Sequence, residues 1–212
     1  MKTYLGNPLL KAAYVNVEYD EDTLKEFMRC AEDPVHFARK YVQIVHVDRG
    51  LVPFDLYDYQ EEMVKTFHDS RFVICKMPRQ TGKSTTIVSY LLHYALFNEQ
   101  TNIAILANKG STARDILQRL KTAYEHLPKW LQQGVVVWNR GNIELENGSK
   151  VIAASTSSSA VRGSSFNIIF MDEFAHIDPP SLAEEFFTSV YPTISSGTST
   201  KVFIVSTPKG LN

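Results

Sequence analysis

The sequence predicts an α/β protein: a mainly parallel sheet flanked by helices, carrying a β-hairpin as an embellishment. Three observations predict it. A short apolar strand at 71–76 passes through a loop into an amphipathic helix at 83–97, the same strand-then-helix rhythm repeats at 102–127, and further apolar strands follow at 168–171 and 202–205. Strands of this kind separated by helices pair in parallel and are covered on both faces. With 212 residues, 44% of them hydrophobic and 21% charged, the chain has the composition of an ordinary globular domain and length enough for one core.

Each element follows from its own pattern. In the first 57 residues, Leu24, Phe27 and Met28 at helical spacing follow the acidic Asp20 to Asp22, and Asp33-Pro34 reads as a cap and first residue of a second short helix. This stretch shows no chemistry and is expected to form a helical, lid-like segment, with the core at 58–212. Asp58 caps a helix through Met63, Val64 and Phe67 that ends near Asp69-Ser70. In the helix from Lys83 to Phe97, Ile87, Val88, Leu91, Leu92, Ala95 and Leu96 form one face. Asn102 to Ala107 is a buried strand, and Ser111 caps a helix that turns Ala113, Ile116, Leu117 and Leu120 inward. Asn147-Gly148 between Ile143–Leu145 and Lys150–Ile152 signals the hairpin. Ser155 to Ser159 reads as a surface loop, and a helix is expected at 179–190.

Charge and cysteine content narrow the class. Lys plus Arg number 22 against 23 Asp plus Glu, a net charge of −1, so any nucleic-acid contact must be a local patch. Cys30 and Cys75 are the only cysteines, and Cys75 sits in an apolar run, which suits free thiols in a reducing cytoplasm. The N-terminus lacks a signal-peptide core, and no segment approaches the ~18 uninterrupted apolar residues of a membrane span. The expectation is a protein neither secreted nor membrane-embedded.

The sharpest signal is the loop Gln80-Thr81-Gly82-Lys83-Ser84-Thr85 between strand and helix. A glycine there lets backbone amides approach phosphate, the helix N-terminus attracts anions, a lysine reaches the β and γ oxygens, and a hydroxyl holds magnesium. Lys83 and Ser84 fill the last two roles. Met77 stands where the usual pattern has its first glycine. The strand at 168–171 ends in Asp172-Glu173, a pair that is costly to bury unless a cation or a water uses it; Asp172 is placed to hold magnesium and Glu173 to polarise the attacking water. Arg79, inside the loop, is within reach of the γ-phosphate as a cis-acting finger. Arg162 is open between a neighbouring subunit's nucleotide, a DNA phosphate and a structural ion pair. Ser206-Thr207-Pro208 ends the last strand on the edge where parallel strands place ligands, open between a γ-phosphate sensor and a simple turn. Gln60 has an amide able to read an adenine edge.

Taken in order, Tyr59-Gln60, Arg79–Thr85, Val161-Arg162-Gly163, Ile168–Glu173 and Ser206–Pro208 resemble the large terminase subunit of contractile-tailed bacteriophages, in its N-terminal ATPase domain. Similarity extends to Ile105–Gly110, Trp138–Leu145 and Thr207–Asn212. The resemblance implies a P-loop ATPase of the ASCE, RecA-like type that uses ATP and Mg2+ to translocate double-stranded DNA into a procapsid. It implies a ring of copies on the portal protein, aided by the small terminase subunit, in the host cytoplasm. By that likeness Gln60 contacts adenine, Arg79 is the cis finger, Lys83, Ser84 and Asp172 serve phosphate and metal, Glu173 is catalytic, and Ser206 and Thr207 couple hydrolysis to movement. The nuclease domain that such proteins carry is not expected in these residues, nor is DNA cleavage. One lobe of a superfamily-2 helicase and a non-hydrolysing nucleotide-binding assembly module are the alternatives.

Overall fold

The structure is a computed structural model that describes residues 2–156, 165–177, 184, 188 and 199–208. Among these, five α-helices and nine strands are arranged as α1 (Glu21–Glu32), α2 (Pro34–Tyr41), β1 (Gln43–His46), β2 (Gly50–Pro53), α3 (Asp58–Asp69), β3 (Phe72–Lys76), α4 (Lys83–Phe97), β4 (Asn102–Ala107), α5 (Gly110–Glu125), β5 (Val135–Trp138), β6 (Asn142–Leu145), β7 (Lys150–Ser155), β8 (Ile168–Asp172) and β9 (Lys201–Ser206).

The helices start where local chemistry allows. The Asp20 carboxylate accepts from the Thr23 amide at the head of α1, and Asp33 accepts from Val35 and His36 with Pro34 opening α2, as the sequence predicts. Two expected caps lie elsewhere. The N-cap of α3 is Tyr57 rather than Asp58, and that of α5 is Lys109 rather than Ser111; in the first case the Gln60 amide oxygen, not an aspartate, meets the free backbone amide.

Seven strands form one sheet in the order β3-β9-β8-β4-β7-β6-β5. From β3 to β7 every neighbour is parallel, while β6 pairs antiparallel with both β7 and β5. The expected parallel core with an antiparallel addition is therefore present. The hairpin does more than decorate the core, because β7 extends the parallel sheet along β4. A second hairpin, β1-β2, lies outside this sheet and was not foreseen.

One face of the sheet carries Val73, Ile103, Ile105, Phe170, Phe203 and Val205, packed with Phe67 of α3, Leu91 and Leu92 of α4 and Leu117 of α5. Each such fully buried apolar side chain contributes roughly 1.5–3 kcal/mol. Ala104, Leu106, Ile169, Met171 and Val202 make a second buried cluster, on the opposite face because side chains alternate along a strand. Of the helix expected at 179–190, only Glu184 and Thr188 are described, both helical. Among the described residues no helix is long and apolar enough to cross a membrane.

Register places the chemistry. Lys76 pairs with Ser206, Asp172 with Val205, and Ala107 with Asp172. The ends of β3, β9, β8 and β4 thus share one edge of the sheet, where the chain leaves each strand for a loop.

Candidate active site

The loop after β3 turns through left-handed backbone at Gln80 (φ 61°) and Gly82 (φ 70°). Glycine suits position 82: its φ disfavours any L side chain, and a Cβ would stand 2.5 Å from Gln60 Nε2, so that side chain would have to move. The loop is closed by the Thr81 hydroxyl donating to the Pro78 carbonyl at 3.1 Å. Gly82 is the N-cap of α4 and offers no side-chain acceptor, so the first amides of the helix are left for an anion.

Lys83 and Ser84 open α4 and point to the end of β8. The Lys83 ammonium, buried, lies 3.1 Å from Glu173 Oε1, and the Ser84 hydroxyl donates to Asp172 Oδ1 at 3.2 Å. Burial and the neighbouring Glu173 charge push the Asp172 carboxyl up, outweighing Ser84, Lys83 and Arg119. A buried carboxylate with a hydroxyl beside it, short of positive charge, is the hard-oxygen donor set that magnesium takes.

Glu173 is held from several sides. Its backbone is left-handed (φ 50°), fixed by its amide donating to Val205 O at 2.8 Å. Its Oε2 accepts from the Thr207 hydroxyl at 2.8 Å and the Thr207 amide at 3.2 Å, and His176 Nδ1 lies 3.2 Å away. Burial opposes the charge on Glu173, yet the Thr207 hydrogen bonds and the Lys83 ammonium hold its carboxyl below the usual range. Ser206 accepts from the Ala175 amide at 3.1 Å through its hydroxyl. The structure thus brings Lys83, Ser84, Asp172, Glu173, Ser206 and Thr207 together.

Other expected residues stand apart from that cluster. Arg79 is exposed on the loop. Gln60 is buried, its oxygen accepting from the Tyr57 amide at 3.0 Å and its Nε2 donating to the Thr81 carbonyl at 3.3 Å. Gln80, Thr81 and Gly82 line a cavity of about 260 Å³ with Gln60, and the unforeseen hairpin supplies its far wall through His46 and Arg49. A larger cavity of about 450 Å³ lies between that hairpin, α4 and α5 and shares Thr85 with the smaller one, but Gln60, Gln80, Thr81 and Gly82 line the smaller one alone. Arg162 lies outside the described residues, as do Ser157–Ser159.

Sequence reasoning missed His176 and the hairpin. Val47-Asp48-Arg49-Gly50 between two apolar pairs was a readable turn signal for the latter; for His176 the signal was its i,i+3 spacing from Glu173, which the 3-10 turn Phe174–His176 makes into a contact. Away from the site, Glu26, Cys30 and His36 have ligand-type atoms within 4.8 Å of one another. Lys40 and Tyr41 already donate to the same Glu26 oxygen, both at 2.9 Å, which makes that cluster a brace between α1 and α2.

Residues 74–212 match the family described as terminase large subunit, T4likevirus-type, N-terminal. The chain belongs to that family. Among solved structures, the large terminase of bacteriophage HK97 is similar at 18% identity and a TM-score of 0.69, over 83% of this chain and 37% of that one. The ATPase domain of the Thermus phage P74-26 large terminase is similar at 24% identity and a TM-score of 0.56, over 70% of this chain and 65% of that one. A large terminase from a thermophilic bacteriophage, solved with ADP, is similar at 16% identity and a TM-score of 0.55, over 71% of this chain and 39% of that one. The chain thus spans well under half the length of the complete terminases. These likenesses speak for a shared large-terminase ATPase fold, and the match begins inside β3, on the strand that carries the loop.

Proposed function

We propose that this chain is the ATP-hydrolysing motor domain of a large terminase, in which hydrolysis drives double-stranded DNA into a procapsid. The observation that carries the reading is the convergence of Lys83, Ser84, Asp172, Glu173 and Thr207 beside an uncapped helix N-terminus. A passive nucleotide binder has no need of a charged carboxylate beside the phosphate lysine.

In this reading the amides of 80–84 and the Lys83 ammonium hold the β- and γ-phosphates of ATP. Ser84 and Asp172 would hold Mg2+, which would supply positive charge to offset that of the phosphates. Glu173 orients a water and accepts its proton as the water oxygen bonds to the γ-phosphorus; the bond to the β–γ bridging oxygen breaks, and ADP leaves with the electron pair. Arg79, exposed on the loop, swings onto the γ-phosphate as a cis finger. Ser206 and Thr207 sense the change through Glu173, and Gln60 lies beside the cavity that takes the adenine. Arg162 acts on a neighbouring subunit's nucleotide or on DNA. Partners of this reading are a portal protein, a small terminase subunit and further copies in a ring, at the portal vertex in the host cytoplasm. In this reading 58–212 is the ATPase core and residues 1–57 are a lid-like segment packed into the same buried cluster as α4 and α5, with no core of its own among the described residues.

The test is steady-state ATP hydrolysis with magnesium, with and without double-stranded DNA. Lys83→Ala and Glu173→Ala are expected to lower kcat by about 10²–10⁴-fold, and Arg79→Ala by about 10³-fold. Wild-type protein that binds ATP and turns none over, even with a portal ring present, would overturn the motor reading.

A further inference from the structure

We propose that Tyr59 and Gln60 are positioning residues for the phosphate loop, so that their loss weakens binding of a triphosphate whether or not a base is attached. This rests on the nucleotide-binding reading above and gives the Tyr-Gln pair a duty other than reading adenine. The Thr81 carbonyl is the hinge of the argument. It accepts from the Tyr59 hydroxyl at 3.0 Å and from Gln60 Nε2 at 3.3 Å. A trans peptide points its C=O and N–H in opposite directions, so fixing the Thr81 carbonyl toward α3 also fixes the direction of the Gly82 amide. That amide belongs to the N-terminus of α4, where anions bind.

The rest of Gln60 is committed as well. Its oxygen accepts from the Tyr57 amide at 3.0 Å and closes the first turn of α3. With the residue only 3% exposed, the amide cannot turn to a base edge without abandoning one of these partners. Its Nε2 also fills the space beside Gly82 that a Cβ would occupy, so the loop has no room to slide toward α3. Tyr59 is held in turn by stacking on Tyr57, with ring centroids 5.7 Å apart and planes 10° from parallel. The first turn of α3 and the loop are therefore one rigid unit.

Two measurements on the 212-residue protein separate this from a base contact. Calorimetric titration with magnesium and either ATP or inorganic tripolyphosphate is run on the wild type, Gln60→Ala and Tyr59→Phe. Gln60→Ala is expected to lose about tenfold in affinity for both ligands, as for one or two ordinary hydrogen bonds, leaving their ratio within about twofold. Hydrogen exchange of the loop amides in the nucleotide-free protein is expected to speed up by about fivefold or more in the same variant, with α4 and α5 unchanged. Loss of ATP affinity with tripolyphosphate binding intact, or loop amides that exchange as in the wild type, would overturn the brace. If the wild type binds neither ligand, the nucleotide reading fails, and the exchange measurement still decides the brace. Tyr59→Phe, a smaller change at a partly exposed ring, carries both comparisons if Gln60→Ala does not fold.

Discussion

His93 sits in the middle of α4 with 3% of its surface exposed, its Nε2 2.8 Å from the Cys30 carbonyl. A carbonyl can only accept, so the ring's proton is on Nε2. Nδ1 is buried with no hydrogen-bond partner, and protonating it would place an unsolvated charge among Phe37, Tyr90 and Phe97. Burial, reinforced by nearby His68, pushes the imidazole down to about 4 from 6.5, against the pull of the Cys30 carbonyl. Because the folded value is depressed, the contribution to stability is complete above the unfolded value and is lost as pH falls through the folded one. Urea unfolding between pH 7.5 and 4.5 should therefore show the wild type losing up to about 3 kcal/mol relative to His93→Phe. Parallel curves for the two proteins would contradict this. The sequence placed His93 on α4, but its neutrality was not legible, because it depends on a partner 63 positions away.

At the scale of elements, the Asn147-Gly148 turn shows how far a local signal reaches. The hairpin it predicts exists, with Gly148 at φ 81°. The Asn147 side chain also caps another element, donating to the carbonyls of Ala95 at 2.9 Å and Asn98 at 3.1 Å at the end of α4. Its oxygen accepts from the Ser149 amide at 3.1 Å. Asn147→Ala leaves helix carbonyls without a donor and should cost about 2 kcal/mol in urea unfolding; a change under about 0.5 kcal/mol would mean that solvent replaces the cap. The strands of the parallel sheet were legible as short apolar runs bounded by polar turns. Which face each residue takes was not. Phe72 and Ile74 lie in such a run yet are 56% and 76% exposed, since β3 ends the sheet and alternate side chains there point away from the helices. The β1-β2 hairpin escaped notice because it joins no large sheet and Val45 and Val47 face solvent.

For the whole molecule, residues 2–57 are woven into the core. Leu10, Cys30, Phe37, Val42, Phe54 and Leu56 are buried in the same cluster as α4 and α5, and Lys11 reaches Glu146 at 2.8 Å beside the hairpin turn. A protein beginning at residue 58 should consequently lose cooperative unfolding, read by circular dichroism during a thermal melt; a single sharp transition near the wild-type midpoint would show that the segment is dispensable. The candidate site residues stood out as local motifs, but the sequence could not show that Glu173 joins the loop to the end of β9. Lys83 and Thr207, more than 120 positions apart, meet on that one side chain. The Lys83 ammonium and the Glu173 carboxylate offset each other's charge across 3.1 Å. In the proposed reading, a triphosphate carrying several negative charges outbids a single carboxylate for the lysine, and in doing so releases the group assigned to activate the water. On that reading the two candidate reactive side chains hold each other in check, and the substrate is the signal that frees them.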